Sequence, residues 1–452
     1  MTCCLASLAM AQQGLYKQYE MAAAQIVGLS LVDTNAYERL EYLSDQIGPR
    51  LSGSPQLEKA IEWAVDEMKA DGLENVRAEE VMVPHWVRGE EFAEMISPAR
   101  HKLYLLMLGS SVGTPPEGIT AEVVEVSSYA ELDELGEAVR GKIVLYRNVM
   151  RSDLPPGQAY GEAVDFRVNG ASKAARWGAR AVFIRSVTTR SLNTPHTGNL
   201  RYEEGVEKIP AAALSIESAD LIHRLLLRGQ KVVVRLKLSA ETLPDAKSAN
   251  VIGELRGREL PDEIVLIGGH IDSWDVGTGA SDDGAGCVIA MEAARLLVKL
   301  KLRPRRTIRV VLFTNEENGL KGAFEYAERH KGERHVAAIE SDSGAARPLG
   351  FAFVGNDKAL EKVREIASLL RTLHADSVIK SSSAGADLIP LIRTGVPALS
   401  LRQDPTHYFD IHHTEADTFD KIDRADLAFN VAAMAVMAYV LADLGEELPR
   451  DK

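Results

Sequence analysis

The chain has 452 residues, more than one hydrophobic core ordinarily supports, so two domains are expected. Hydrophobic residues make up 46% and charged residues 26%, the proportions of an ordinary globular protein, and a net charge of −13 with no basic stripe argues against nucleic acid as a partner. No apolar run approaches the roughly 20 residues of a membrane span, and Cys3, Cys4 and Cys287 offer no disulfide framework.

In chain order, residues 1–20 read as the remnant of a secretory leader. Cys3 to Ala11 is apolar and ends in the small-residue run Ala9-Met10-Ala11, although the usual basic n-region is missing. A secreted or periplasmic protein is expected on that reading. Helical spacing continues to Leu43 and resumes from Leu57 to Met68, with Gly48-Pro49 and Ser52-Gly53-Ser54 between. Val76 to Val83 alternates as a strand that Pro84 should stop.

Beyond the turn at Gly109 to Gly118 come short apolar strands at Ile119–Val126, Lys142–Tyr146, Ala181–Ile184 and Val232–Leu238. Helices at Gly170–Trp177 and Ser218–Leu227 interleave with them. Residues 112–240 thus read as an inserted module, flanked by a main domain formed from 21–111 and 241–452. From Asn250 strands alternate with helices. The strands are Ile264–Ile267, Thr307–Thr314, Val336–Glu340 and Ala398–Leu401, and the helices Ile289–Leu300, Leu320–His330 and Leu427–Leu444. Such alternation predicts an α/β fold, a mixed and mostly parallel sheet with helices on both faces.

The residues that carry chemistry fall just past those strands, where open α/β sheets bind ligands. They are His270 in GGHIDSWD, Asp282 in GASDDGAG, Glu316 and Glu317 in FTNEENG, Asp342 in IESDSG, and His413 in IHHTEADT. Taken singly, each has a plain structural role. His270 and Asp272 could be a hydrogen-bonded pair, Asp282-Asp283-Gly284 a turn, Glu316-Glu317 charge at a helix start, Asp342 an N-cap, and His412-His413 part of a loop. Taken together, two imidazoles, three ligating carboxylates and one spare carboxylate suit two adjacent divalent ions and a general base.

These blocks resemble the co-catalytic dinuclear zinc aminopeptidases. Asp45–Ser54, Pro84–Trp86, Gly113–Glu122, Pro195–Gly198 and Gly269–Gly277 further resemble a carboxypeptidase-type branch of that family, from about residue 40 to the C-terminus. The resemblance implies two Zn2+ per chain, one held by His270 and Asp342 and the other by Glu317 and His413, with Asp282 between them. It implies a cis Asp282–Asp283 peptide, and Glu316 as the base acting on a water or hydroxide shared by the metals. Asp272 and Asp417 would accept from the free ring nitrogens of His270 and His413, and His412 would contact substrate. Residues 112–240 resemble a protease-associated domain that would roof the cleft. Pro195–Gly198 would reach this site, cap a neighbouring subunit's cleft, or form an ordinary turn. The implied activity is hydrolysis of short unblocked peptides, dipeptides above all, by a homodimer. A broader aminopeptidase, a non-catalytic receptor on the same fold, or a one-zinc acyltransferase relative that cyclises N-terminal glutamine are the alternatives.

Overall fold

The structure, a computed structural model, describes residues 2–147, 149–190 and 192–450, the side chains of 2–13 excepted. The leader-like side chains of Cys3 to Ala11 therefore lie outside the described residues. The strands are β1 (Glu74–Ser97), β2 (His101–Lys102), β3 (Leu105–Met107), β4 (Ile119–Val126), β5 (Ile143–Tyr146), β6 (Ala181–Arg185) and β7 (Ala211–Leu214). There follow β8 (Val233–Leu255), β9 (Leu260–His270), β10 (Arg306–Phe313), β11 (Arg334–Glu340), β12 (Pro348–Val354), β13 (Ser377–Lys380) and β14 (Ala398–Gln403).

Their order is β13-β12-β14-β11-β9-β10-β8-β4-β5-β6-β7-β3, with β1 laid along β8. The expected mixed, mostly parallel α/β sheet is present. β14, β11, β9 and β10 are mutually parallel, as are β4 to β7, while β8 runs antiparallel to β10, β4 and β1. Strands buried on both faces read as mainly apolar runs, and β10 is buried along its whole length, its Arg306 and Arg309 paired with Glu263, Glu254 and Glu333.

One expectation fails at the long β1–β8 arm. β1 does not stop at Pro84. Its register shifts between Val83, paired with Ala246, and His85, paired with Leu243, so the proline occupies a bulge where no ladder N–H is required. The boundary expected at residue 240 falls inside β8, whose first part pairs with β4 and whose last part pairs with β10. β1 and β8 therefore belong to two hydrophobic clusters, one with Trp86, Met95, Val234 and Leu236 and the other with Val251.

Helix Arg424–Asp443 is long and apolar enough to cross a membrane by length and composition, contrary to the expectation that no segment is. Here it is a core helix. Being apolar on every side it must be covered on every side, and it packs on helix Ala285–Lys299 and helix Thr2–Val32. Tyr19 meets Tyr439 edge-on at 6.2 Å, and Ser30 Oγ donates to the Ala428 carbonyl at 2.7 Å.

Charge enters this layer only where it is paired. Arg39, on helix Asn35–Glu41, is 7% exposed and bonds Glu67, Asp71 and Glu292 at 2.5–2.8 Å. Glu292 is also met by Arg295 at 2.7 Å. Removing one partner from such a cluster strands the other charges in a poor solvent. Arg39→Met is expected to lower unfolding free energy by roughly 3 kcal/mol in urea denaturation. A loss under about 0.5 kcal/mol, typical of surface changes, would show that water already screens the cluster.

Candidate metal centre

Because β14, β11, β9 and β10 are parallel neighbours, their carboxyl ends open on one edge of the sheet. His270 is the last residue of β9, Glu316 and Glu317 turn off the end of β10, Asp342 follows β11, and His412 and His413 lie on the segment after β14. Asp282 comes from the loop between β9 and helix Ala285–Lys299. All the residues singled out from sequence as ligands and base converge.

Asp282 is the hub. Its Oδ1 lies 3.3 Å from His270 Nε2, and its Oδ2 lies 3.3 Å from His413 Nε2 and 3.6 Å from His412 Nε2. Asp342 Oδ1 is 3.6 Å from His270 Nε2, and Glu317 Oε2 is 3.2 Å from His413 Nε2. Two donor sets result, one on each oxygen of Asp282. The first is His270, Asp282 and Asp342; the second draws on Asp282, His412, His413 and Glu317. His412, expected only as a substrate contact, thus joins the possible donors. It stacks on His413 with ring centroids 3.6 Å apart.

The tautomer of His270 suits metal. Nδ1 of His270 is 3.0 Å from the Asp272 carbonyl, and Nδ1 of His413 is 3.3 Å from the Thr197 carbonyl. A ring nitrogen facing only a carbonyl carries the hydrogen, which leaves the Nε2 lone pair of His270 directed into the cluster; His413 Nδ1 also faces Arg167 Nη1 at 3.4 Å. His270 Nε2 and Asp282 Oδ2 are buried without a hydrogen-bond partner. Orphaned buried polar atoms are uncommon, and a divalent cation in each donor set would satisfy them, one atom apiece.

The backbone bends tightly to deliver these groups. The Asp282–Asp283 peptide is cis, as the resemblance implies, and Asn315, Leu320 and His413 adopt left-handed φ of 64°, 59° and 61°. Non-glycine residues in that region tend to mark functional sites. Asp283 turns inward, accepting from the His270 N–H at 3.0 Å and the Gly286 N–H at 3.1 Å. A Cβ on Gly286 would stand 1.9 Å from the Ser341 carbonyl oxygen and 2.4 Å from Asp283 Oδ1, so only glycine fits there.

Two assigned contacts differ from expectation. The Asp272 carboxylate does not take the His270 ring hydrogen. It lies 3.8 Å from Nδ1 and instead accepts the backbone N–H groups of Glu316 at 3.0 Å and Glu317 at 3.3 Å. Its backbone carbonyl serves His270, and its side chain fixes the turn that carries the base. Asp417 does not reach His413 either. It accepts the N–H groups of Ser281 at 2.7 Å and Asp282 at 3.0 Å and so holds the hub. Glu316-Glu317 also do not open a helix, because helix Lys321–Arg329 begins after a further turn.

Burial and mutual repulsion dominate the acid groups. Burial pushes Glu316 up to about 8, with Asp342, Asp272 and Asp282 adding to the rise against His270. Burial likewise raises Asp342, and raises Glu317 well above the carboxylate range. Asp282 is held low, since His270 and His413 outweigh its burial. Arg50, fully buried, donates to the carbonyls of Gly48, Ile271, Thr278 and Gly279 at 2.8–2.9 Å and so shapes the loop that holds Asp282. Its role is invisible in sequence, where Gly48-Pro49 reads as a break between helices and Asp45–Ser54 as a block of resemblance with no role for the arginine.

The segment Pro195–Gly198 reaches the centre of its own chain. His196 Nδ1 lies 2.8 Å from the His412 carbonyl, and Thr197 N–H donates to the His413 carbonyl at 3.0 Å. Tyr160, on helix Pro156–Ala163, stacks on Phe409 and stands edge-on to His412. Below this roof lies a cavity of about 340 Å³, whose lining includes Asp282, Glu316, Glu317, Asp342, His412 and His413 together with Tyr160, Arg167, Asn199 and Arg201.

Comparison with known proteins agrees with this geometry. The profile of peptidase family M28 matches residues 250–439. Carboxypeptidase Q of Mus musculus is 45% identical over 437 residues, covering 96% of this chain and 91% of the relative. Carboxypeptidase Q of Homo sapiens is 45% identical over 433 residues, covering 95% and 90%. The crystal structure of a peptidase M28 precursor from Shewanella amazonensis SB2B superposes with a TM-score of 0.92 at 39% identity, covering 96% of this chain and 99% of that one. An aminopeptidase from Aneurinibacillus sp. strain AM-1 shares the fold, with a TM-score of 0.66 at 24% identity over 95% and 98%. Likeness at this level along nearly the whole of both chains places the protein in peptidase family M28, within its carboxypeptidase Q group, as a metallopeptidase.

Proposed function

We propose that the chain is a dinuclear zinc exopeptidase acting on short unblocked peptides, dipeptides foremost. The observation that carries this reading is the placing of Asp282, whose two carboxylate oxygens each face a separate imidazole at 3.3 Å. His270, Asp342 and one oxygen of Asp282 would hold one ion; Glu317, His413 and the other oxygen would hold the second. When bound, the ions supply Lewis acidity, which lowers the pKa of water and polarises a carbonyl.

The chain's own residues supply the rest. Glu316 lines the cavity and is the acid there with no assigned metal, so its lone pairs are free to take a proton from the attacking water and return it to the leaving amine. Asp272 fixes it by holding its N–H, so it acts as a positioning residue. In the chain without metal, burial raises Glu316 to about 8. Cations beside it favour the carboxylate, the form a base needs. Tyr160, Arg167 and Asn199 help to line a cavity of about 340 Å³. That volume is near the lower end for small-molecule pockets, which supports short substrates.

Pairing of two such chains belongs to the same reading. The exposed apolar Met82, Val87, Phe92 and Leu243 on the β1–β8 arm support it. A secreted or periplasmic location rests on the leader-like stretch at Cys3–Ala11.

Zinc-loaded protein is expected to hydrolyse a free dipeptide and not its N-acetyl form, measured by amine release. Equal cleavage of both would contradict an exopeptidase that needs a free amino end. Glu316→Gln is expected to lower kcat by about 10²–10⁴-fold with zinc content unchanged by elemental analysis. Asp282→Ala is expected to lose zinc as well as activity, and an Asp282→Ala protein that keeps both ions would remove the hub from the account.

A further inference from the structure

The cavity is lined by basic groups as well as acidic ones, and nothing in the metal chemistry uses them. Arg167, on helix Asp165–Ala175, lines the cavity, with Nη1 2.7 Å from Tyr160 Oη and 3.4 Å from His413 Nδ1. Its guanidinium also lies over the Tyr160 ring, 5.5 Å from the centroid, and its Nε is buried without a hydrogen-bond partner. Arg201 lines the same cavity and is tied to that helix through its N–H, which donates to the Val168 carbonyl at 2.8 Å. Asn199 stands beside them, its Oδ1 accepting from Ser110 Oγ at 2.7 Å, which leaves the amide nitrogen as donor.

Arg167 is half-buried and Arg201 exposed, in a chain of net charge −13. Nearby Arg147 and Arg185 face Asp220, Arg176 binds Glu203 and Arg190 faces Asp410. Arg167 and Arg201 enter no ion pair among the described residues. A partly buried guanidinium without an acid partner is costly unless an anion arrives. Gly198 makes room for Arg167, since a Cβ there would stand 2.4 Å from Nη1. A planar guanidinium suits a carboxylate, which it can grip by two parallel hydrogen bonds.

We infer that Arg167, supported by Arg201 and Asn199, receives the terminal carboxylate of the substrate, so that the inserted segment reads whether the peptide's carboxyl end is free. The inference rests on the exopeptidase reading above and deepens it. A substrate whose far end is an amide loses the charge these groups would meet.

The test compares a free dipeptide with its C-terminal amide in the zinc-loaded wild type and in Arg167→Gln, Arg167→Lys and Arg201→Gln, with zinc content measured for each. The wild type is expected to favour the free acid. Arg167→Gln should lower kcat/KM for the acid by about 10–100-fold, the scale of a hydrogen bond to a charged group, mostly through KM. Its kcat/KM for the amide should stay within about threefold and its zinc content should be unchanged. Arg167→Lys should recover part of the loss, and Arg201→Gln should show a smaller fall in the acid-to-amide ratio. Equal loss on acid and amide, loss of zinc, or an unaltered ratio would overturn the inference while leaving the exopeptidase reading standing. A wild type that cuts the amide as fast as the acid would overturn the inference and the dipeptide preference together. Wild-type protein that cuts neither would remove the exopeptidase reading itself. If Arg167→Gln does not fold, the ratio in Arg201→Gln decides.

Discussion

Buried negative charge is the constraint around which this protein is organised. Asp272, Asp282, Asp283, Glu316, Glu317, Glu340, Asp342, Asp387 and Asp417 crowd the carboxyl edge of one sheet. In all but Asp282 burial raises the carboxyl, with repulsion from neighbouring acids adding to it in most. Arg50, the buried cation at the loop carrying Asp282, spends its donors on backbone carbonyls instead of on these acids. Assembling such a set without counter-charge is unfavourable by several kcal/mol per ion. Divalent cations are the economical remedy, and they turn a destabilising cluster into a Lewis-acid site. The fold accepts the strain of the cluster because metal binding offsets it.

The remainder of the architecture serves delivery. Four parallel strands bring their ends to one edge, Asp272 and Asp417 hold the turns of Glu316 and Asp282 by backbone N–H groups, and Asp283 fills the space that Gly269 and Gly286 leave open. These supports act on the backbone and not on the ligand rings. The ring hydrogen of His270 goes to the carbonyl of Asp272, so that a strand-end loop sets its tautomer, while the outer ring nitrogen of His413 meets the roof at Thr197 and Arg167.

Much of this was legible in sequence, and its limits have physical causes. His270, Asp282, Glu316, Glu317, Asp342 and His413 could be read because apolar strands announce where a sheet edge lies. Asp272 and Asp417 are singled out by the resemblance for a contact their geometry does not make, since a matched motif does not show whether a carboxylate or a carbonyl faces a ring. Pro84 misled because a proline ends a strand by its missing N–H only where the ladder needs that hydrogen, and a bulge does not. β3 and β7 were overlooked because Leu105–Met107 and Ala211–Leu214 are too short to show a period. Arg50 and Arg167 were silent because an arginine's role depends on which carbonyls or carboxylates fold up against it, a long-range fact. Asp387 lies in a loop of small residues and carries no signal, yet it is buried beside Glu340 with both carboxylate oxygens unpartnered.

The most direct test of the central claim, that this acidic edge is built around a pair of divalent ions, is a zinc-edge anomalous difference map from crystals of the zinc-loaded protein. The account predicts two peaks, one on each side of the Asp282 carboxylate, the first beside His270 and Asp342 and the second beside Glu317 and His413. A single peak, or peaks remote from Asp282, would contradict it.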